Sequence, residues 1–367
     1  MRGADRSIQR VLVTGGGGFL GRAIARELAK PDGPLGRAPE EILLLDLEVD
    51  GAALPPGTTP IVADVRDAEA VRRACRGVDA VVHAASLVDW GEATPERLEE
   101  VNVGGTENVL AACREEGVPS LVYTSSMDVV CGTRPVVDAD ESLPYPERFA
   151  NDYARTKALA EQRVLAAHGS PRSARDGEEP GSGRLATCAI RPCGMYGEGD
   201  PYHVANVLRV VRAGRLPFRL GDGKAAFQHV YVGNVAHAHV LALQRLFDGN
   251  PAVGGESYFI TDDTPAVDFL EFMEQVLEPL GETLPPRTRR VPYPVVYALG
   301  AAAEAAAVAC RPFFRFVPTL TRSSVRFVCH THTFDGRKAR RDLGYEPLYG
   351  EAEALSRTIE YFRQADL

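Results

Sequence analysis

The chain is organised around Val11-Leu-Val-Thr-Gly15-Gly-Gly-Gly18-Phe-Leu-Gly21, an apolar run that breaks into glycines and continues as Arg22-Ala-Ile-Ala-Arg-Glu-Leu-Ala29. This pattern predicts a β-strand, a tight turn and a helix. The first, fourth and last glycines stand where a backbone turns sharply, approaches a pyrophosphate without a Cβ in the way, and lets the helix pack on the strand. The helix N-terminus, which includes Phe19 and Leu20, would hold phosphate oxygens on its unpaired N–H groups.

A second apolar run, Ile42–Leu45, ends in Asp46 about 25 residues after the glycines. A dinucleotide-binding fold places there the carboxylate that accepts hydrogen bonds from the adenosine ribose hydroxyls. The alternative interpretation is a strand that merely ends in an acid. Because a carboxylate repels a 2′-phosphate and no arginine follows Asp46 directly, the pattern favours NAD over NADP.

The composition of the 367-residue chain excludes several classes of protein. Its net charge is −9, without a basic block, so we expect no nucleic-acid partner and no purely electrostatic attraction to anionic lipid. The seven cysteines are scattered without a CxxC pair, which predicts reduced thiols in a cytoplasmic protein and no metal site. A small molecule is the expected ligand.

No signal peptide is expected, because the charged N-terminus leads directly into the first strand. The most membrane-like stretch is Val291–Pro318, which is rich in alanine and interrupted by Glu304. It is too weakly hydrophobic to predict a membrane span. An interfacial helix, and with it peripheral membrane contact, stays open.

Strand and helix patterns alternate along the first half of the chain. The third predicted strand, Pro60–Val65, should end beside the adenine, and Ala80–Ala85 reads as a buried parallel strand. A helix should begin at Asn102, and the strand Leu121–Ser126 ends in three hydroxyls. Such alternation predicts an α/β fold with a doubly wound parallel sheet of the Rossmann type, which binds ligands at the carboxyl edge.

The predicted domain organisation has three parts. A dinucleotide-binding domain covers residues 8–192, with 230–262 returning to it. A smaller, mostly helical substrate-binding region is discontinuous, over 193–229 and 263–330, and a C-terminal helical segment covers 331–367. Residues 169–183 are expected to form a mobile surface loop, because their composition cannot bury apolar surface. The side chains expected to cover a flat apolar ligand, or to form the lid core, are Leu216, Phe218, Tyr293, Tyr297, Phe313 and Phe314.

The segment Asn151–Leu165 has a strong helical pattern, and its i, i+4 spacing puts Tyr153 and Lys157 on one face. An ammonium one turn away, together with the positive nicotinamide of NAD⁺, would favour the phenolate of Tyr153. Tyr153 could then take the proton of a substrate hydroxyl while a hydride leaves the carbon. Lys157 could also donate to the nicotinamide ribose, and Ser126 could hold the substrate oxygen.

These motifs together resemble the extended short-chain dehydrogenases/reductases, and within them the 3β-hydroxysteroid dehydrogenase/isomerase family. The resemblance covers nearly the whole chain. The wider family is matched by Thr14-Gly15-x-x-Gly18-x-x-Gly21, Asp64-Val65, His83-Ala-Ala85, Asn102-x-x-Gly-x-x-Asn108, Tyr153-x-x-x-Lys157 and Arg191-Pro-x-x-x-Tyr196-Gly197. The steroid branch is matched by Tyr123-Thr-Ser-Ser126, Tyr196-Gly-Glu-Gly199, Val230-Tyr-Val-Gly-Asn-Val-Ala236 and Lys338-Ala-Arg-Arg-Asp-Leu-Gly-Tyr345.

The resemblance implies an NAD-dependent enzyme that oxidises a 3β-hydroxyl of a steroid or sterol, with or without Δ5–Δ4 isomerisation. It implies catalysis by Ser126, or its neighbour Ser125, with Tyr153 and Lys157, and it places Pro192 near the nicotinamide. We expect a homodimer. The predicted cofactor contacts are Gly15, Gly18, Phe19, Leu20, Gly21, Asp46, Asp64, Val65, His83, Ala84, Ala85, Asn102, Thr124, Tyr153, Lys157 and Pro192.

Four alternatives stay open. A sterol-4-carboxylate 3-dehydrogenase and a 2-alkyl-3-ketoalkanoate reductase would share this chemistry. A sugar-nucleotide epimerase or dehydratase is disfavoured by the apolar lid and by Gly233, where such relatives usually carry an acid. A non-enzymatic NAD sensor would not need the Tyr153 and Lys157 pair.

Overall fold

The computed structural model describes residues 7–50, 54–89, 93–175, 177–310 and 318–365. Within these ranges the strands are β1 (Arg10–Thr14), β2 (Glu41–Asp46), β3 (Thr58–Val62), β4 (Ala80–His83), β5 (Ser120–Thr124), β6 (Val136–Ala139), β7 (Ala186–Pro192), β8 (Gly194–Tyr196), β9 (Arg219–Leu220), β10 (His229–Tyr231), β11 (Ser257–Ile260), β12 (Arg290–Val291) and β13 (His332–Phe334). The helices are α1 (Phe19–Leu28), α2 (Ala68–Ala74), α3 (Pro95–Glu99), α4 (Gly105–Glu115), α5 (Asp152–Ala166), α6 (Val204–Arg212), α7 (Val232–Phe247), α8 (Phe269–Leu277), α9 (Tyr293–Cys310), α10 (Arg322–Cys329), α11 (Arg337–Leu343) and α12 (Glu351–Gln364).

Seven strands form one parallel sheet in the order β11-β7-β5-β4-β1-β2-β3. In the centre, Leu12 of β1 lies between Leu43 of β2 and Val81 of β4. The order changes direction at β1, where the chain crosses from one half of the sheet to the other. This arrangement confirms the predicted doubly wound parallel sheet, and it puts the ends of β1, β4, β5 and β7 at one edge.

Alternation along the strands creates two apolar layers, one on each face of the sheet. Val11 and Val13 of β1 pack with α1 and α7 on one face. Leu12 packs on the opposite face, with residues of α2, α4 and α5. Because successive side chains of a strand point to opposite faces, both faces of a central strand must be apolar when helices cover both.

The loop over residues 169–183 is anchored by polar contacts. The Arg172 guanidinium is buried and forms an ion pair with Glu178 at 2.8 Å. Arg175 reaches Asp79 at 2.8 Å, just before β4. Ion pairs thus hold Arg172 and Arg175 of this segment in place, while the expected mobility of the loop stays a prediction.

Several predicted boundaries shift in the structure. The third strand begins and ends earlier than predicted, at Thr58–Val62, so Asp64 and Val65 follow it. A π-helical turn over Glu100–Gly104 includes Asn102 and precedes α4. The C-terminal segment contains the short strand β13 as well as two helices.

All seven cysteines are free thiols, and five of them are buried.

Candidate active site

The turn after β1 has room only for glycine at several positions. Gly15 has a φ of +72°, and a Cβ there would lie 2.6 Å from the amide nitrogen of Ala85. A Cβ on Gly21 would lie 2.0 Å from the carbonyl oxygen of Gly15. The backbone therefore turns sharply, and α1 packs against the turn more closely than any side chain would allow.

The N-terminus of α1 is open to a ligand. Gly18 takes the N-cap position, and no side chain caps the helix. The first-turn N–H groups, at Phe19 and the residues after it, are thus available to an anion. A Cβ on Gly17 would lie 2.0 Å from the Glu48 carbonyl oxygen, so this part of the cradle is also restricted to glycine. These features fit the pyrophosphate of a dinucleotide.

Asp46 ends β2 beside this cradle. Its carboxylate accepts hydrogen bonds from the backbone N–H groups of Gly17 at 3.0 Å and Leu47 at 2.7 Å. The carboxylate is therefore held at the turn, where a ribose hydroxyl could donate to it. Asp64, predicted beside the adenine, is turned toward Arg66 at 2.5 Å, and this hydrogen-bonded guanidinium lowers the pKa of Asp64.

His83 links three elements at the centre of the site. Its Nδ1 lies 2.6 Å from the Thr14 hydroxyl, and its Nε2 lies 2.9 Å from the Thr106 hydroxyl. Burial lowers the pKa of His83 to about 3, so the ring is neutral. Since both ring nitrogens are engaged, a cofactor contact at His83 would have to use other atoms.

Asn102 connects the loop after β4 to α5, the helix that carries Tyr153 and Lys157. Its amide oxygen accepts from the Leu87 N–H at 2.8 Å and from the Ser86 hydroxyl at 3.2 Å. Its amide nitrogen donates to the Thr156 hydroxyl at 3.1 Å. The side chain predicted to contact the cofactor thus holds Ser86 near the reacting groups.

Tyr153 lies in the first turn of α5, which is capped by the Asn151 side chain accepting from the Ala154 N–H at 2.8 Å. The phenol lies beside the hydroxyls of Ser126 and Ser86. Burial raises the pKa of Tyr153 well above its usual range. The phenol is therefore protonated near neutral pH.

Lys157 shares the helix face of Tyr153, but its ammonium is directed elsewhere. Nζ donates to the Thr124 carbonyl oxygen at 2.5 Å and lies 4.3 Å from the centre of the Tyr123 ring. Burial lowers the pKa of Lys157 to about 7. Because Nζ is directed at the Thr124 carbonyl oxygen, stabilisation of the Tyr153 phenolate by Lys157 stays a prediction.

The two serines after β5 differ in their surroundings. The Ser125 backbone N–H donates to the Ile190 carbonyl at 2.7 Å, and its buried hydroxyl has no hydrogen-bond partner among the described residues. Ser126 is the serine that meets Tyr153, and its hydroxyl also lies 2.9 Å from a carboxylate oxygen of Asp128. Of the two candidates, Ser126 is the one that lies beside Tyr153, and its catalytic role stays a prediction.

Sequence reasoning missed three polar residues of this site. Asp128 stands only two positions after Ser126, so a search for titratable groups beside the hydroxyl-ended strand would have found it. His239 lies on α7, where its Nδ1 donates to the Val235 carbonyl at 2.8 Å and its Nε2 accepts from the Thr124 hydroxyl at 2.8 Å. Burial raises the pKa of Tyr202, and the nearby charge of Asp46 raises it further.

Pro192 ends β7 and pairs with Ile260 of β11, at the same sheet edge as the serines. The start of α5 is contacted by α10, where the Ser323 hydroxyl accepts from the Asn151 amide at 3.4 Å. Tyr297 of α9 accepts from Arg326 of α10 at 3.2 Å and lies beside Tyr293, with ring centres 5.5 Å apart. Phe313 and Phe314, expected in this lid, lie outside the described residues.

Comparison with known proteins gives consistent results. The model of the 3-beta hydroxysteroid dehydrogenase/isomerase family matches residues 12–292. Short-chain dehydrogenase/reductase family 42E member 1 of Mus musculus is 36% identical over 97% of this chain and 87% of that protein. The 3beta-hydroxysteroid-dehydrogenase/decarboxylase isoform 1 of Arabidopsis thaliana is 37% identical over 96% of this chain and 79% of that protein.

A solved structure extends the likeness to the whole fold. The Thermus thermophilus UDP-glucose 4-epimerase, in complex with NAD, superposes with a TM-score of 0.69 and 25% identity. The alignment covers 98% of this chain and 100% of the epimerase. The glycine cradle and the position of Asp46 agree with NAD as the cofactor, while the assignment of individual contacts stays a prediction.

Proposed function

Because the chain belongs to the 3-beta hydroxysteroid dehydrogenase/isomerase family, we propose that it oxidises the 3β-hydroxyl group of a steroid or sterol to the 3-ketone. It is an NAD-dependent oxidoreductase, and the proposal concerns its substrate. The observation that carries the proposal is the Tyr153 phenol beside Ser126, with α10 reaching Asn151 at the start of the same helix.

In this reaction Tyr153 removes the proton of the substrate hydroxyl, and Ser126 and Ser86 hold the phenol in place. When bound, NAD⁺ accepts the hydride that leaves the carbinol carbon, so that the C–H electron pair is transferred and a ketone forms. Tyr153 must lose its own proton first. Since burial raises the pKa of Tyr153, oxidation should accelerate as the pH rises from neutral to alkaline values.

Gly233 favours a sterol over a sugar nucleotide. A Cβ at this position would lie 2.5 Å from the Tyr231 ring and 2.8 Å from the Tyr349 ring. The two rings thus fill the space that the acidic side chain of a sugar-nucleotide relative would need. An epimerase activity of this chain would therefore have to work without an acidic side chain at position 233.

A second candidate is oxidation of a sterol that carries a carboxylate on the carbon next to the hydroxyl. It is favoured by the decarboxylase in the name of the Arabidopsis thaliana relative. A ketone at C3 would make loss of CO₂ easy, because the carbanion left behind is an enolate.

A substrate panel tests the proposal. NADH formation from NAD⁺ is measured with 3β-hydroxysteroids, 4-carboxysterols and 3-hydroxy acids, together with enone absorbance and CO₂ release. Conversion of UDP-glucose is followed by analysis of the sugar product, because an epimerase regenerates NAD⁺ in each turnover and releases no NADH. We expect turnover of a 3β-hydroxysteroid or a 4-carboxysterol. Turnover of UDP-glucose or a 3-hydroxy acid alone would overturn the proposal.

The variant Tyr153→Phe tests the mechanism on the substrate that the panel identifies. It removes only the oxygen that carries the proton, so kcat should fall by a factor of roughly 10² or more, with NAD binding almost unchanged. Tyr361→Phe on the surface of α12 is the matched control. A Tyr153→Phe enzyme that keeps more than about a tenth of its turnover would contradict this role.

A further inference from the structure

The hydroxyls of Ser126 and Ser86 have an unusual distribution of hydrogen bonds. Ser126 Oγ lies 2.9 Å from Asp128 Oδ2, and an ionised carboxylate can only accept, so Ser126 donates its proton there. Ser126 Oγ also accepts from the Asp128 backbone N–H at 3.1 Å. Ser86 likewise donates its proton to the amide oxygen of Asn102 at 3.2 Å.

A hydroxyl has one proton and two lone pairs, so Asp128 occupies two of the three positions of Ser126. The remaining position is a lone pair, which is left for a group bound beside Ser126 and Tyr153. Both serines beside Tyr153 therefore offer acceptors to the reacting oxygen. While Tyr153 is protonated, a bound alcohol can accept a hydrogen bond from Tyr153 and donate one to Ser126, whereas a ketone, which has no O–H, can only accept.

We propose that Asp128 is a positioning residue that determines specificity: by taking the Ser126 proton, it makes the site bind the alcohol in preference to the ketone. The inference rests on the proposed function, since it deepens the role of the same site. Its consequence is that the ketone product leaves readily and inhibits the oxidation less.

The surroundings of Asp128 allow this arrangement. The groups that face its carboxylate are Tyr153 from α5, Cys131 at the end of the turn after Ser126, and Cys193 after β7. Burial raises the pKa of all three, so each is neutral near pH 7. Among the described residues no cation pairs with Asp128, so its charge is directed mainly at Ser126.

Acid should weaken the discrimination. Burial raises the pKa of Asp128 above its usual range, and the Ser126 hydrogen bond lowers it only in part. A protonated carboxyl can donate to Ser126, and the serine proton is then released toward a substrate oxygen. Ketone binding should therefore improve as the pH falls.

The experiment compares Asp128→Leu with Asp128→Asn in the holoenzyme. Leucine has the same branching of heavy atoms but no acceptor, so the Ser126 proton becomes free to bind a ketone. We expect the KM for the ketone in the NADH-dependent reduction to fall by about three- to tenfold, the value of one hydrogen bond, while the KM for the alcohol changes less than about twofold. Asparagine keeps an acceptor oxygen and should retain the wild-type ratio of the two KM values.

A double-substitution cycle separates this role from a structural one. In the Ser126→Ala background, Asp128→Leu should leave the ratio of the two KM values unchanged, because the hydroxyl that transmits the effect is gone. The pH dependence of the ketone KM should likewise disappear in Asp128→Leu. Equal ratios in wild type and Asp128→Leu, or the same change in both backgrounds, would overturn the inference.

The substrate pair is whichever alcohol and ketone the panel identifies. An error in the sterol assignment would appear in that panel and leave the Asp128 comparison intact. Asp263→Leu, at an exposed position, controls for the introduction of a leucine.

Discussion

Lys157 is a buried lysine, and its surroundings disfavour the charged form of its side chain. The side chain is only 2% exposed, and its hydrogen-bond acceptor is a neutral carbonyl. Burial lowers its pKa from 10.5 to about 7. The described residues give Lys157 one hydrogen-bond acceptor. Ribose hydroxyls of a cofactor could provide further acceptors, so that cofactor binding would offset the cost of burying the charge.

The first prediction concerns this buried ammonium. Because the pKa is lowered in the folded state, the charged form reduces stability below about pH 7, and this loss disappears as the pH rises toward 10.5. Lys157→Met carries no charge, so its unfolding free energy relative to wild type should decline by a few kcal/mol between pH 6 and pH 10. Urea unfolding at both pH values measures the difference.

Lys30→Met serves as the control with the opposite sign. Burial of Lys30 is partial, and its ion pair with Glu27 at 2.5 Å raises the pKa of Lys30. This variant should show no advantage at pH 6. Parallel pH dependences of wild type and Lys157→Met would show that Lys157 is not destabilised by burial.

At the scale of residues, the sequence predicted what local spacing determines. Tyr153 and Lys157 follow from an i, i+4 pair on one helix, and Ser126 follows from the end of an apolar strand. The pair His239 and Thr124 was not predictable, because 115 positions separate them and their contact depends on how α7 packs. The direction of the Lys157 side chain was equally inaccessible, since it depends on the Thr124 carbonyl.

Among the described helices, α9 is apolar but mostly exposed, and packing inside the fold does not explain this combination. It is the one described helix long and apolar enough to cross a membrane by length and composition, with a mean hydropathy of 1.4, but only 11% of it is buried. Val295 and Leu299, one turn apart, are 50% and 47% exposed. Since α9 packs on α10, which reaches Asn151 beside the active site, we propose peripheral contact with a lipid surface that supplies an apolar substrate.

The second prediction tests this contact. The double variant Val295→Glu/Leu299→Glu places two charges on the exposed face, and each leucine-sized side chain withdrawn from lipid would cost about 1.5–3 kcal/mol. Cosedimentation with phosphatidylcholine vesicles should therefore fall at least about fivefold. Val62→Glu, 72% exposed on the edge strand β3, should bind vesicles like wild type. Unchanged cosedimentation of the double variant would rule out α9 as the contact.

For the molecule as a whole, alternating strand and helix patterns were sufficient to predict a doubly wound parallel sheet. These patterns could not predict how the distant C-terminal segment packs against the rest of the fold. The Tyr349 ring fills the space above Gly233 and lies 5.2 Å from the Tyr231 ring. No local pattern predicts such a contact, because it joins positions more than a hundred residues apart and depends on side-chain volume.

The third prediction concerns the residue that fastens this closure. Asn234 is fully buried, and its amide donates to Asp262 and to the Tyr349 carbonyl, both at 2.9 Å, while its oxygen accepts from the Tyr349 N–H at 2.9 Å. Asp262 in turn accepts from the Tyr231 N–H at 2.8 Å. Asn234 thereby joins α7, the end of β11 and the C-terminal segment.

Asn234→Ala should lower the unfolding free energy by about 2–4 kcal/mol, because it leaves buried donors and acceptors without partners. Urea unfolding measures the loss, and hydrogen exchange should show that protection decreases first in α12, the element that Tyr349 precedes. Gln364→Ala, which removes one hydrogen bond on the exposed face of α12, should change stability by less than about 0.5 kcal/mol. If the two variants lose the same stability, the closure is maintained by the packing of Tyr349 against Tyr231 and Gly233, and the hydrogen bonds of Asn234 contribute little.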